Sequence, residues 1–127
     1  MATFEPTRDI DKHAELYAQV LNSGDAEALN ALYTDDAIAV WEPGQPLTGA
    51  ARKAALAEFL TMNPVMTAKT RESYITGDTA LLFVDWTMEI DTPDGRRSDS
   101  GVGVDVVRRG ADGRWRHAVD SPYSGTK

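Results

Sequence analysis

The chain has 127 residues, 13 Lys and Arg against 20 Asp and Glu, a formal net charge of −7, and no cysteine. That length suits one domain around one core. The missing thiols exclude disulfides, iron–sulfur clusters, zinc–thiolate sites and cysteine nucleophiles, and the acidic balance argues against a nucleic-acid backbone or an anionic membrane as partner. No stretch reaches the roughly 18 apolar residues of a membrane span. Residues 1–6 (MATFEP) have neither the basic start nor the apolar run of a signal peptide. A cytoplasmic protein is expected.

The first helix is predicted from Thr7 to Ser23, because Ile10, Ala14, Tyr17 and Leu21 recur at helical spacing. Thr7 is read as its N-cap and Gly24 as its stop. Asp25 then caps a short second helix with Leu29, Leu32 and Tyr33 on one side, and Asp35-Asp36 do not favour its continuation. The run 37–41 (AIAVW), ended by Glu42-Pro43-Gly44, reads as a strand and turn, with a brief return around Gln45–Leu47. A third helix spans Ala50 to Met62, stopped by Pro64.

From Val65 the pattern changes. Turn signals at Gly77-Asp78, at 92–95 (TPDG) and at 110–113 (GADG) separate four long runs, 65–76, 79–91, 96–109 and 114–123. Connections this short force an antiparallel meander. Helices first and strands later make the fold class α+β. Gly101 and Gly103 inside a strand mark either a bend or space for a ligand.

The order of these elements, with 17–25 (YAQVLNSGD), 32–37 (LYTDDA), 41–44 (WEPG), 47–49 (LTG), 77–82 (GDTALL), 105–109 (DVVRR) and 112–116 (DGRWR), resembles the nuclear transport factor 2-like superfamily, in its SnoaL-like and ketosteroid-isomerase-like branch. The resemblance covers about residues 8–124 and implies a cone-shaped roll. A curved antiparallel sheet wraps around three N-terminal helices, leaves an internal pocket, and often pairs into a homodimer through its outer face. The superfamily hosts isomerases, cyclases, dehydratases, epoxide hydrolases and non-catalytic binding modules, so the resemblance does not name a reaction.

Three positions carry over from the isomerases as candidate catalytic residues. Tyr17, seven residues before Gly24, stands where a tyrosine donates a hydrogen bond to a developing enolate; it equally fits the apolar stripe of its helix. Glu42 before Pro43 stands near the place of the general base, offset by one residue so that Trp41 lands there without the offset; a solvated turn carboxylate is the other reading. Asp105, eight residues before Gly113, stands where an aspartic acid kept protonated donates to the oxyanion; a hydrogen-bonded structural carboxylate is its alternative.

Strand parity places Asp99, Gly101, Gly103 and Asp105 on one face and Val102, Val104 and Val106 on the other, as for a cavity wall backed by an association surface. On the preceding strand Leu82, Val84, Trp86, Met88 and Ile90 share a face. Trp41, Phe59, Trp86, Met88 and Asp120 are the expected substrate-binding residues, and the acid at Asp120 points to a ligand smaller or more polar than a steroid. His13 is expected to be exposed, and His117 to meet Asp120 or a dimer interface. No spacing marks a metal site, a phosphate loop or a nucleophilic triad. The expected function is cofactor-independent proton transfer (isomerase, cyclase or dehydratase type) on a small carbonyl compound. The alternative is a dimeric small-molecule-binding module. Epoxide hydrolysis would need an Asp–Arg–Asp set, and Asp85, Arg71 and Asp105 share no face.

Overall fold

A computed structural model describes residues 4–123. The elements are α1 (His13–Ser23), α2 (Ala26–Asn30), β1 (Tyr33–Glu42), β2 (Gln45–Leu47), α3 (Gly49–Leu60), β3 (Val65–Thr76), β4 (Thr79–Thr92), β5 (Gly95–Arg109) and β6 (Trp115–Asp120). A single 3-10 turn, Ile10–Lys12, precedes α1. The class is α+β, as the order of periodicities predicts, and the curved sheet stays open.

The N-terminal cap differs from the expectation at Thr7. Asp9 caps the 3-10 turn, its carboxylate accepting from the Asp11 N–H, while Thr7 Oγ1 accepts from the Asp9 N–H. At the far end Gly24 adopts φ 76°, a left-handed cap that favours glycine. Asp25 caps α2, accepting from Ala28 N–H at 3.0 Å. α2 ends at Asn30, and Tyr33 belongs to β1, which begins four residues before the apolar run that signals it.

The sheet order is β2-β1-β6-β5-β4-β3. β3 to β6 form the expected meander, but the sheet is not wholly antiparallel: β1 pairs parallel with β6, aligning Ile38 with Val119 and Ala39 with Asp120. This pairing joins residues about eighty positions apart, so no local turn announces it. α1 packs on β3 and α3 on β1. One apolar cluster gathers Val20, Leu21, Leu29, Leu32 and Leu56; a second gathers Ile10, Ala14, Leu82, Val107 and Trp115.

The parity expected for β4 and β5 is observed. Leu82, Val84 and Trp86 are buried, as are Gly103 and Asp105, while Val102, Val104 and Val106 are half-buried on the opposite side. Register aligns Ile38, Val119, Val106, Leu81 and Tyr74 into one apolar row across five strands of that outer face. Gly103 does not adopt positive φ; a Cβ there would meet Pro122 at 3.4 Å, an ordinary contact, and Val104 N–H donates to Ser121 O at 3.0 Å. Among the described residues, no helix is long and apolar enough to cross a membrane.

Candidate functional site

Between α1, α3 and the inner sheet face lies a cavity of about 340 Å³. Leu21, Leu56, Phe59, Met66, Met88 and Ile90 supply most of its apolar wall. The size and the apolar lining suit a small organic molecule. Trp41 stacks near Phe59, with ring centroids 6.0 Å apart. Trp86 donates its indole N–H to Pro122 O at 2.7 Å and meets the Tyr123 ring at 5.3 Å. Tyr123 in turn donates to Asp99 at 2.6 Å, so the segment after β6 closes part of the wall. Burial, the Asp99 bond and the Asp99 charge push the Tyr123 phenol up to about 12.

One end of the cavity is polar. Asp120, buried at the end of β6, accepts on Oδ2 from Tyr33 Oη at 2.9 Å and from Trp41 Nε1 at 3.0 Å; its Oδ1 takes no hydrogen bond among the described residues. Tyr17 Oη lies 2.6 Å from Tyr33 Oη, and because the Tyr33 proton goes to Asp120, Tyr17 is the donor of that pair. Burial and then the nearby Asp105 charge raise the Asp120 carboxyl above its ordinary value, against the opposing pull of His117. Both tyrosines are held well above theirs by burial and then by Asp120.

Behind Asp120 is a chamber of about 30 Å³, the space of about one water. Tyr17, Trp86, Met66, Asp120 and Pro122 line both spaces, so the two adjoin. Asp105, His117 and His13 complete its polar wall. His117 Nε2 lies 3.4 Å from Asp105 Oδ2, and its Nδ1 lies 2.7 Å from His13 Nε2. Asp105 Oδ1 accepts from the Ser121 N–H at 3.0 Å. Burial opposes a charge on His117, but the Asp105 carboxylate outweighs it and the imidazole pKa rises. Burial and then the neighbouring His117 hold His13 well below its ordinary value. The His13 Nε2 and His117 Nδ1 atoms share one proton, and which ring donates it is set by the tautomer.

Of the expected site residues, Tyr17, Glu42, Trp41, Phe59, Trp86, Met88 and Asp120 all line the larger cavity. They do not all stand together. Glu42 is exposed at the cavity edge and engages neither tyrosine nor Asp105 in a hydrogen bond. Asp105 lines only the inner chamber, between two donors, Ser121 N–H and His117. Its Oδ1 is taken up by the Ser121 N–H. His13, expected to be exposed, is fully buried. Arg71 pairs with Asp85 on exposed positions away from Asp105, so those three groups form no common set.

Tyr33 and Arg52 were not anticipated as site residues. Arg52 of α3 is 1 % exposed, donates to Asn30 Oδ1 at 2.7 Å and lies 4.3 Å above the Tyr33 ring, with Nε and Nη1 unpartnered. The spacing His13–Tyr17–Val20 carries a signal for the buried histidine, since all three fall on one helix face. Asp105, His117 and Asp120 also offer one ligand atom each within 4.8 Å of one another.

The fold is an open α+β roll, and polar groups converge at one end of its apolar cavity. The SnoaL-like domain family matches residues 13–118, and the chain belongs to it. Among solved structures, a conserved protein from Planctomyces limnophilus is 22% identical, with a TM-score of 0.72 over 82% of this chain and 84% of that one. A protein from Novosphingobium aromaticivorans bearing the provisional name scytalone dehydratase is 19% identical (TM-score 0.71; 82% and 73% covered). A Streptomyces avermitilis protein, provisionally a dehydratase of the same superfamily, is 17% identical (TM-score 0.71; 83% and 86% covered). At these identities the likeness is one of fold. No curated protein sequence matches the chain.

Proposed function

We propose that the protein is a proton-transfer enzyme acting on a small carbonyl compound, and that the reaction is the removal or addition of water. The observation that carries this reading is the one-water chamber between the Asp105–His117 pair and the Asp120 end of the cavity. An isomerase needs no such space. A hydro-lyase must place a departing hydroxyl, protonate it and hold the water formed.

In the dehydration direction the carbon skeleton of a β-hydroxy carbonyl compound lies against Leu56, Phe59 and Met88. Its carbonyl oxygen takes the Tyr17 proton in hydrogen bonding, in exchange for the Tyr17–Tyr33 bond. Asp120 Oδ1 removes the α-proton; its raised affinity for protons suits a base working near neutrality. The C–H pair first passes into the carbonyl as an enolate, then returns to form the C=C bond as the β C–O bond breaks, and the hydroxyl leaves with the His117 proton into the chamber. Tyr17 holds the enolate oxygen on the way, and one such donor in a water-poor site is worth about 3–4 kcal/mol of barrier. Asp105 keeps His117 protonated for its step. The provisional dehydratase names of two fold relatives agree with this reading.

The test is a panel of small β-hydroxy ketones and acids, followed by the ultraviolet absorbance of the conjugated product. Turnover lost in Asp120→Asn supports the reading; saturable binding without turnover across the panel supports a ligand-binding module instead. The apolar outer row through Tyr74, Leu81, Val106, Val119 and Ile38 is proposed as a homodimer face, tested by light scattering of Val106→Lys, which should run as a monomer.

A further inference from the structure

We propose that Asp105, His117 and Asp120 form a binding site for one divalent first-row transition ion, of the zinc, cobalt or manganese kind, at the inner end of the cavity. Each of the three residues is buried and offers a ligand atom within 4.8 Å of the other two.

What separates this set from a chance cluster is that the other atom of every side chain is already held. His117 Nδ1 is bonded to His13 Nε2 at 2.7 Å, Asp105 Oδ1 to the Ser121 N–H at 3.0 Å, and Asp120 Oδ2 to Tyr33 and Trp41. Outer partners of this kind orient metal ligands and fix their tautomers. They leave His117 Nε2, Asp105 Oδ2 and Asp120 Oδ1 as the atoms with capacity to bind.

Space and distance agree. All three residues line the 30 Å³ chamber, which has room for one ion. The separation of His117 Nε2 and Asp105 Oδ2 is 3.4 Å. It matches the roughly 3.4 Å between two ligands that sit about 2.1 Å from a tetrahedral ion. His13 lines the chamber, and its Nδ1 is buried without a partner. Once the imidazole gives up its proton to bind, two carboxylates leave two negative charges in a buried space, which one divalent ion cancels. The mixed nitrogen and oxygen donors favour zinc, cobalt or manganese over calcium or magnesium.

The inference stands apart from the proposed reaction, because its test reads metal binding and needs no substrate. On the dehydration reading the ion takes up the groups that move protons, so the loaded protein is the silent form.

The probes are cobalt(II), by its visible absorption, and zinc(II), by calorimetry, on the full chain. The expected result is saturation at one ion per chain, not displaced by excess magnesium. His117→Gln should weaken it at least about tenfold, while Asp94→Asn, an exposed hairpin change, leaves it unaltered. If circular dichroism shows His117→Gln unfolded, Asp120→Asn carries the same comparison. No saturable cobalt or zinc binding would overturn the proposal. Equal binding by wild type and the ligand variant would also overturn it, by assigning the metal to surface carboxylates.

Discussion

Asp105→Asn separates an ion pair from a merely polar contact. The amide keeps an oxygen for the Ser121 N–H but removes the charge that faces His117. In the native chain His117 is 4 % exposed and its pKa lies above the ordinary 6.5. A histidine whose folded pKa is raised contributes stability that is fully present below 6.5 and is lost as pH rises through the folded value. The native slope through that window approaches about 1.4 kcal/mol per pH unit for one proton. His13 works in the opposite sense: its lowered pKa costs stability as pH falls below 6.5, and because the His117 charge helps to lower it, the variant relieves part of that cost. A buried bond to a charged group is worth about 1.5–3 kcal/mol. Urea denaturation at about pH 6 should therefore show the variant less stable by that amount. As pH rises through the folded value and His117 loses its charge, the deficit should shrink towards zero. A deficit that keeps the same size across the alkaline range would refute the ion pair.

Other consequences follow from the same geometry. Asp120→Asn should lower turnover of an active β-hydroxy carbonyl by at least about a hundredfold, while Glu42→Gln, at the exposed rim, should change it less than about twofold in the same absorbance assay. Tyr33→Phe removes the donor to Asp120 and the acceptor for Tyr17, both buried; thermal melts should show a loss of about 1–3 kcal/mol. Arg52→Met keeps the packing against Tyr33 and removes a buried cation with two unpartnered nitrogens, so its unfolding midpoint in urea should stay level or rise.

Local chemistry made much of the fold legible. Four strands between strong turn signals fall within a few residues of where Gly77-Asp78, 92–95 and 110–113 place them, since hairpin turns act on the chain at short range. Tyr33 was harder: it extends the apolar side of α2 by one more helical step, and only its pairing with β6, a non-local contact, draws it into β1. Parity found the cavity side of β4 and β5. It could not show that Asp105 faces His117, because a register shift lies between Val106 and Val107, and one slipped residue reassigns the facing partners. His13 reads as polar near a helix start. It shares a helix face with Tyr17 and Val20, which signals burial, but the imidazole that partners it lies 104 residues away, outside any window on α1. The positions that escaped sequence reasoning are thus those defined by cross-chain contacts.

On the proposed reaction, the substrate oxygen binds at the polar end formed by Tyr17, Tyr33 and Asp120. A crystal structure with a small phenol bound, its oxygen mimicking an enolate, should show that oxygen within hydrogen-bonding distance of Tyr17 Oη and the ring between Phe59 and Met88. A phenol oxygen seated instead at the rim beside Glu42 would refute that placement.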